Sequence, residues 1–556
     1  MQLIHSKKNS TILKKQNIMS HEFNSQAEHD AYVDDRKKKS TLWSIIMASS
    51  LGTLIEWYDF YIFGSLAVIL STKFFPADNP TAAFLSTLAT FAAGFVVRPF
   101  GALFFGRLGD IIGRKYTFLV TLLIMGFSTF LIGCIPSYET IGFMAPVLVL
   151  ILRLLQGLAL GGEYGGAATY VAEYAEHNRR GYWTSWIQTT ATIGLFVSLI
   201  VIMVTRTSLS SEEFDNWGWR VPFWVSILMV GVSYIIRKNM KESPLFAKAK
   251  KEGKTSTNPL KESFGNKYNF KYVLLALFGA VMGQGVIWYT GQFYAMSFMQ
   301  KVMNIDAEQV DSLMASALFV GTPLFVLFGW LSDKVGRKPI MLIGMFIAII
   351  SYRPIYDNMY QLGDFSKKQE ITDKATKEAS VKILEGTKID SIYTSQKFYA
   401  DGSHVKEVVT KHIENGQILK DDKGKDRVET KITKTIDSST KWTLAFWVFI
   451  QVVFVTMVYG PIAAFLVEMF PIRIRYTSMS LPYHIGNGIF GGLLPAVATY
   501  LVTTAKDANA IAEKAGQAIA HPKWYLEGLW YPIAVAAVCL IIGLIYLDGK
   551  DRNVED

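Results

Sequence analysis

Cysteine and charged residues are both scarce in this 556-residue chain, and each scarcity excludes a class of protein. There are two cysteines, Cys134 and Cys539, which exclude a framework of several disulfides and a metal site built from four cysteines. Charged residues make up 18% of the chain, whereas a soluble protein needs about a quarter to cover its surface. The composition therefore excludes a soluble globular protein.

Hydrophobic residues, in contrast, make up 51% of the chain. They form long blocks, most of which can cross about 30 Å of hydrocarbon as helices. Twelve blocks, called spans one to twelve below, lie near residues 43–72, 82–106, 116–135, 144–171, 183–205, 221–237, 272–299, 311–330, 339–355, 442–469, 478–503 and 528–547. We therefore predict an all-α, multi-pass membrane protein.

Lysine and arginine, which give the chain a net charge of +10, are distributed unevenly between the spans. They concentrate in the N-terminal tail and in the connections that lie on the same side as this tail. The positive-inside rule makes that side cytoplasmic, so both termini are expected in the cytoplasm. Because the basic residues lie between hydrophobic blocks, they indicate orientation, and no nucleic-acid partner is expected.

Two connections on the predicted outer side are longer than the others. Residues 357–441 are polar and include an alternating run at 428–436, with turn signals at Asp401-Gly402 and Asn415-Gly416. This pattern predicts a small β-rich external insertion, with a disordered loop as the alternative. Residues 504–527 form a second, shorter elaboration with a helix expected over 506–520.

The chain also contains an internal repeat. Residues 106–115 follow span two and residues 329–338 follow span eight, and six of their ten positions are identical. The repeat predicts two six-helix halves. The expected organisation is a cytoplasmic tail at 1–42, an N-terminal bundle at 43–237, a cytoplasmic linker at 238–271, a C-terminal bundle at 272–547 that contains the insertion, and a cytoplasmic C-terminus at 548–556.

Charged residues recur at matching places on the inner side of both halves. They are Asp110, Arg114, Glu173 and Arg180 in the first half and Asp333, Arg337, Glu468 and Arg475 in the second. We expect Asp110 and Arg114 to pair with Arg180 and Glu173, forming a cytoplasmic gate that holds helix ends together in one state. The alternative is that the basic members only set orientation.

Several further segments carry a resemblance to a known family. Together with the repeat and the twelve spans, they resemble the major facilitator superfamily. Within it, the chain is similar to the metabolite:proton symporters, which include proline/betaine, α-ketoglutarate, citrate and shikimate carriers. The segments are at residues 56–60, 98–101, 153–157, 161–166, 218–223 and 468–471. The insertion at 357–441 has no counterpart in those carriers.

This resemblance implies a fold, a location and an activity. The fold would be two pseudo-symmetric bundles of six helices in a bacterial inner membrane. The activity would be alternating-access symport of a small organic metabolite, with the proton as coupling ion and no other cofactor or metal. We expect a monomer, and we expect no enzymatic activity.

Five ionisable residues inside the spans are the candidates for proton coupling. A charge in the membrane costs about 2.5–3.5 kcal/mol on insertion scales, so its presence indicates function. Glu56, Asp59 and Glu163 face only two arginines, Arg98 and Arg153, so one carboxylate is expected to be unpaired and free to bind a proton. The predicted carrier is Asp59 or Glu56, with Arg153 tuning its affinity; structural ion pairs are the alternative.

The substrate is expected near the middle of the membrane between the halves. The candidate binding residues are Tyr58, Arg98, Gln188, Gln284, Trp288, Gln292, Tyr483, His484 and Asn487. Aromatic rings favour a quaternary ammonium and arginine favours a carboxylate, so an organic acid and a zwitterionic osmolyte both remain open. Packing between helices is the alternative role for each aromatic residue.

Other function classes compete with symport. The sequence has no phosphate-binding loop, metal-ligand cluster or nucleophile elbow, so neither an enzyme nor an ATP-driven pump is expected. A facilitative uniporter, a channel and a sensor whose external insertion binds a ligand are the remaining alternatives.

Overall fold

The computed structural model of the chain describes residues 26–75, 86–87, 89–90, 93–238, 241–383, 388–415, 417–420, 426 and 428–547. Most of the predicted N-terminal tail, the beginning of span two, the second residue of the Asn415-Gly416 turn and the C-terminal residues 548–556 lie outside this set.

Within the described residues, ten helices are long and apolar enough to cross a membrane. They are Arg114–Ile132, Met144–Tyr174, His177–Ser208, Gly218–Lys238, Lys267–Val302, Ala307–Val335, Arg337–Leu362, Ser438–Met469, Arg475–Lys514 and Trp524–Tyr546. These correspond to spans three to twelve. The helices Gln26–Ser65 and Ala67–Phe74 correspond to span one, and Arg98–Ile111 corresponds to span two. The predicted helical membrane fold is confirmed.

Several spans are segmented rather than uniform α-helices. Span five divides into Arg180–Gln188 and Thr190–Ser208, and span ten into Ser438–Tyr459 and Ile462–Met469. Spans seven and eleven contain π-helical turns at Leu277–Val281, Thr290–Tyr294, Phe298–Val302 and Gly486–Gly491. Such turns are frequent at functional sites, because the extra residue redirects neighbouring side chains.

Span boundaries differ from the prediction in three places. Span one begins at Gln26 rather than near residue 43, and span nine runs over Arg337–Leu362 rather than 339–355. The predicted helix over 506–520 is the outer end of span eleven, whose last segment is Leu494–Lys514. In each case polar residues extend a helix beyond its apolar block, which hydropathy alone cannot detect.

The external insertion folds as an antiparallel sheet. Its strands are β1 (Thr376–Ile383), β2 (Lys388–Phe398), β3 (His404–Glu414), β4 (Gln417–Ile418) and β5 (Val428–Thr435). They are ordered β1-β2-β3, with β4 and β5 both paired to β3. The predicted turn at Asp401-Gly402 joins β2 to β3, and Gly402 has a φ of 87°. The β-rich interpretation is confirmed.

The base of this sheet is attached to the predicted outer ends of C-terminal spans. Backbone hydrogen bonds join Lys434 of β5 to Asn304 and Asp306, which connect spans seven and eight. The side-chain amide of Gln309 exchanges two hydrogen bonds with the backbone of Ile436, at 2.9 and 2.8 Å. The Lys368 ammonium lies 3.1 Å from Asp437, the residue that caps span ten. The insertion is therefore fixed to the second half.

The internal repeat is visible in the backbone. Gly113 and Gly336 precede spans three and nine, and they have φ values of 137° and 99°. Residues that carry a side chain rarely adopt this backbone conformation. Glycine at this position therefore lets both helices start directly after the preceding span. Arg114 and Arg337 are the first residues of these two helices. The same turn therefore occurs at the same place in each half.

Small residues bring spans two and four together. A side chain at Gly157 or Gly161 would collide with the backbone of Gly94 or Arg98. Close approach through glycines is a common way for membrane helices to pack, because it maximises van der Waals contact. This contact places Arg98 and Arg153 on adjacent helices of the first half.

Candidate functional site

Each half contributes an aspartate that caps a helix of the other half. The Asp110 carboxylate accepts hydrogen bonds from the backbone N–H groups of Tyr476 (3.4 Å) and Thr477 (2.8 Å), at the start of span eleven. Asp333 accepts from Gly181 (2.8 Å) and Tyr182 (2.7 Å), at the start of span five. An anionic acceptor at a helix N-terminus satisfies unpaired donors and interacts favourably with the helix dipole.

A buried ionic cluster reinforces the first of these contacts. Arg114 lies 3.1 Å from Asp110 and 3.6 Å from Glu173, and it donates to the Ile472 carbonyl of the second half at 2.7 Å. Arg475, also from the second half, lies 3.2 Å from Glu173. These contacts close the two halves together at their predicted cytoplasmic ends.

The expected pairing of Asp110 with Arg180 is wrong. Asp110 pairs with Arg114 of its own loop, and the Arg180 Nε donates to the Ala172 carbonyl at 3.3 Å. Arg180 is the first residue of the helix that Asp333 caps, so its side chain turns back towards span four.

The corresponding cluster of the second half is built from the repeat counterparts. Arg337 lies 2.5 Å from Asp333 and 3.0 Å from Glu468. The structure thus assembles the predicted gate residues other than Arg180 around two aspartates, each capping a helix of the opposite half.

The linker adds residues to the gate that the sequence did not reveal. The Glu242 carboxylate accepts hydrogen bonds from the backbone N–H groups of Arg114 (3.2 Å) and Lys115 (3.3 Å). Phe246 places its ring 4.0 Å from the Arg114 guanidinium, and Ser243 hydrogen-bonds to Glu173. No local signal in the sequence connects this linker with a loop more than a hundred residues earlier.

A small cavity inside the first half is lined by two ion pairs. Asp59 lies 3.1 Å from Arg153 and accepts a second hydrogen bond from Gln156 at 3.0 Å. Glu56 makes a single, longer contact of 3.5 Å with Arg98. All five side chains line the cavity, so the predicted proximity of these acids and arginines is observed.

Glu163 lies in a separate buried pair. Its carboxylate is 2.6 Å from Arg237 and accepts from the Thr121 hydroxyl at 2.8 Å. The sequence-based prediction counted Arg98 and Arg153 as the only cations for the three acids. It omitted Arg237, because a basic residue at the end of span six normally indicates orientation. The expected unpaired carboxylate is therefore absent from this conformation: each of the three acids has an arginine partner.

Aromatic side chains from both halves meet between the bundles. The rings of Tyr164 and Tyr483 stack at 3.7 Å with an interplanar angle of 6°, and the hydroxyls of Tyr483 and Tyr459 are 2.6 Å apart. Gln188 donates to the Tyr164 hydroxyl at 2.8 Å. Trp57 of span one contacts Trp288 of span seven at a ring distance of 5.0 Å. We call Trp57, Tyr164, Trp288, Tyr459 and Tyr483 the central aromatic cluster.

The central aromatic cluster lies next to the ion pairs. Trp57 directly follows Glu56 in span one, and Tyr164 lies one helical turn after Leu160, which lines the cavity of the ion pairs. The indole nitrogen of Trp288 is buried and has no hydrogen-bond partner among the described residues. A polar donor in an apolar setting is therefore available within the central aromatic cluster.

The remaining predicted binding residues take different positions. Gln284 and Asn487 exchange two amide hydrogen bonds, at 3.1 and 3.0 Å, between spans seven and eleven. His484 is buried, and its Nε2 has no hydrogen-bond partner in the described part of the chain. Gln292 lines a separate, larger cavity on the predicted outer side together with Tyr61.

Tyr58 is buried inside the first half and faces away from the second half, which argues against its predicted contact with the substrate. Its hydroxyl donates to the Pro222 carbonyl of span six at 2.7 Å, and its ring is buried within the first half. Successive helical residues point in directions about 100° apart, so the neighbouring Trp57 faces the second half instead. Trp57, Gln156 and Tyr164 lie inside the family segments and could have been assigned from them, whereas Tyr459 carried no such signal.

Two bundles of membrane-spanning helices related by an internal repeat, with ionic contacts joining their inner ends, define the major facilitator fold. Residues 44–364 match the family described as "Sugar (and other) transporter", and the chain belongs to this family. The proton:xylose symporter XylE, solved with 6-bromo-6-deoxy-D-glucose bound, superposes with a TM-score of 0.59 at 16% identity, covering 91% of this chain and 95% of XylE. This likeness shows the fold alone.

Curated relatives are more similar in sequence. A proline/betaine transporter of Escherichia coli K12 is 35% identical over 58% of this chain, which spans 65% of that relative's length. The alpha-ketoglutarate permease of the same strain is 36% identical, covering 59% of this chain and 74% of the permease. The resemblance to metabolite carriers of this superfamily is confirmed.

Proposed function

We propose that this chain is a secondary active transporter that moves a small zwitterionic solute of the proline and betaine class together with protons. The observation that carries the proposal is the central aromatic cluster, which is contributed by both halves and lies beside the buried acids. Its rings suit a quaternary or secondary ammonium group, for which cation–π contacts contribute about 0.5–2 kcal/mol.

The carboxylate of such a solute would be bound by an arginine. In this conformation Arg98 and Arg153 are already paired with Glu56 and Asp59. Protonation of either acid would weaken its ion pair and let the guanidinium exchange this contact for one with the carboxylate of the solute. Proton and solute would then bind together, which is the requirement for symport.

The carrier carboxylate is Glu56 or Asp59, because both line the cavity. Glu56 has the more open pair, with one contact of 3.5 Å, whereas Asp59 is held by Arg153 and Gln156. Glu163 is sequestered with Arg237 and Thr121, which favours a structural role. The arginine that tunes the proton affinity of each acid is its ion-pair partner, which is Arg98 for Glu56 and Arg153 for Asp59.

Alternation between two states would involve the inner gate. The reciprocal caps at Asp110 and Asp333 hold the halves together on the inner side, and release of both would open this side to the cytoplasm. We place the transporter in a bacterial inner membrane with both termini in the cytoplasm. We propose a single chain as the transporting unit, with the proton as coupling ion, no further cofactor and no enzymatic activity.

An organic acid is the second candidate substrate. It is favoured by the similarity to the alpha-ketoglutarate permease and by the two arginines of the cavity. The aromatic and arginine contributions can be separated by substitution. Replacing Trp288 with alanine should abolish uptake of an osmolyte, whereas an organic acid should depend mainly on Arg98.

The test is uptake into proteoliposomes with an imposed pH gradient, using radiolabelled betaine, proline and α-ketoglutarate. The proposal predicts that betaine or proline accumulates only while the lumen is more alkaline than the outside. Equilibration without accumulation would instead indicate a uniporter. Binding of a solute without its translocation would indicate a sensor.

A further inference from the structure

A cavity lies between the two halves on their predicted outer side. It is lined by spans one and five of the first half and by spans seven and eight of the second. Most of its side chains are apolar, including Leu199, Met296 and Leu318. Because ionic contacts join the halves at their inner ends in this conformation, a solute would enter this cavity from the outer side. We call it the outer cavity.

The outer cavity reaches the central aromatic cluster through one ring of each half. Tyr61 and Phe293 both line the cavity. The ring of Tyr61 on span one lies 6.2 Å from that of Trp57, and the ring of Phe293 on span seven lies 5.4 Å from that of Trp288. Trp57 and Trp288 belong to the central aromatic cluster. A solute that leaves the outer cavity on its inner side therefore meets this cluster next.

Asp311 supplies the charge of the outer cavity. Among the described residues that line this cavity it alone is charged, and it lies about 6 Å from the start of span eight by helix rise. Gln300, near the outer end of span seven, lines the cavity beside it. Gln292, eight residues earlier on span seven, lies about 12 Å deeper. The carboxylate is therefore at the mouth of the cavity, and the Gln292 amide is further in.

The Asp311 carboxylate has no basic partner in the part of the chain that the structure describes. It accepts a long hydrogen bond of 3.5 Å from the Gln300 amide. The Lys441 ammonium donates to the neighbouring Ser312 hydroxyl instead, at 2.9 Å. A charge of one sign in a cleft with low-dielectric walls attracts the opposite charge and raises its local concentration. The outer cavity is therefore suited to a cationic group.

We propose that Asp311 selects for the ammonium group of an entering solute and holds it in the outer cavity before the solute reaches the central aromatic cluster. This inference rests on the proposed function and narrows its substrate class. The ring faces of Tyr61 and Phe293 add cation–π contacts to the same group. A dicarboxylate is repelled by Asp311 and gains nothing from the rings, and such a repulsive element is a common source of specificity. The entrance therefore favours zwitterions over organic acids.

Protection of a thiol in the outer cavity tests this inference. Ser65 is exposed and lines the cavity, so Ser65→Cys is made in a full-length chain that carries Cys134→Ser, because Cys134 is exposed and Cys539 is buried. Choline, a quaternary ammonium without a carboxylate, should slow the labelling of this thiol by a membrane-impermeant maleimide. Asp311→Asn keeps the shape of the side chain and removes its charge. It should raise the half-protecting choline concentration about threefold, as expected for an exposed charge contact.

The matched control is Glu308→Gln. It removes a negative charge from the same end of span eight, at an exposed residue outside the lining of the outer cavity, and should leave the half-protecting concentration unchanged. Charge reversal sharpens the comparison: Asp311→Lys should abolish protection by choline and allow α-ketoglutarate to protect the thiol.

Three results would overturn the inference. The first is choline that does not slow labelling when Asp311 is present. The second is equal protection with and without the Asp311 charge. The third is a Glu308→Gln effect as large as that of Asp311→Asn, which would show a diffuse effect of negative charge rather than a contact in the cavity.

This test can be separated from that of the proposed function, because protection does not require transport. Protection that depends on Asp311 in a protein that does not accumulate betaine would refute symport and leave the ammonium site standing. Betaine accumulation with protection that is independent of Asp311 would refute this inference alone.

Discussion

At the scale of single residues, the three buried acids differ in the number of groups that stabilise their charge. Asp59 and Glu163 each have an arginine and a second hydrogen-bond donor, whereas Glu56 has one long contact. A carboxylate in a low-dielectric setting stays ionised only while such donors are present. The Glu56 pair is therefore the easiest of the three to open.

The Glu163–Arg237 pair leads to a stability prediction. Arg237→Ala leaves a buried carboxylate without its cation, and breaking a buried pair in this way typically costs about 3–5 kcal/mol. We expect a clearly lowered thermal unfolding temperature for the purified protein. The control is the double variant Arg237→Met with Glu163→Met, which removes both charges and should recover most of the loss. A double variant less stable than Arg237→Ala would contradict this account.

Trp57 and Tyr58 offer a direct test of which residue faces the substrate. Tyr58→Phe removes one buried hydrogen bond to Pro222, worth about 0.5–1.5 kcal/mol, and should leave the KM for uptake unchanged. Trp57→Ala removes a ring of the central aromatic cluster and should raise KM by about tenfold or more, as expected for a lost cation–π contact of over 1 kcal/mol. The reverse pattern of KM values would show that the assignment is mistaken.

At the scale of elements, the two reciprocal caps form a symmetric connection between helices. Replacing a capping side chain with alanine removes about 1 kcal/mol of the free energy that holds the halves together. The double variant Asp110→Ala with Asp333→Ala should therefore raise the ratio of inner-open to inner-closed molecules by about tenfold or more. A cysteine at Thr169, which contacts Met479 of the other half, reports this opening. Its labelling from the cytoplasmic side should accelerate in the double variant, relative to Glu252→Ala in the exposed linker. Unchanged labelling would exclude the caps as the gate.

The attachment of the external sheet should resist acid. Burial alone would raise the pKa of the Asp437 carboxyl, but hydrogen bonds from Thr440 and pairing with Lys368 lower it from 3.8 to about 2. Because the pKa of Asp437 is lowered in the folded state, its carboxylate stabilises the attachment fully at pH values above the ordinary pKa of 3.8. This contribution is lost as the pH falls through about 2. Limited proteolysis of the insertion should therefore be the same at pH 7 and pH 5. Faster cleavage at pH 5 would contradict this expectation.

The sequence predicted elements better than contacts. Hydrophobic blocks, the repeated loops and alternating residues correctly indicated the spans, the two halves and the β-rich insertion, since each is a local pattern. Contacts between distant segments were partly missed. Arg237 lies at the end of span six, where a basic residue normally indicates only orientation. The pairing of Asp110 depended on the direction of the Arg180 side chain, which the sequence does not reveal. The face of the helix that carries Tyr58 became clear only from its contact with span six.

At the scale of the whole molecule, we expect the insertion and the bundles to have separable roles. The sheet is attached through the connection between spans seven and eight and the ends of spans nine and ten, with its strands outside the bundle. Replacing residues 376–435 with a short flexible linker should leave at least a tenth of the uptake rate. Complete loss of uptake with normal membrane insertion would favour a sensor or an obligatory gating role.

The central claim is that a carboxylate in the cavity between spans one, two and four couples solute movement to protons. It is tested most directly by comparing accumulation with exchange in proteoliposomes for Glu56→Gln, Asp59→Asn and the control Glu163→Gln. We predict that one of the first two variants exchanges labelled for unlabelled betaine at a near-normal rate but no longer accumulates it under a pH gradient. Accumulation that persists in both variants would contradict the claim.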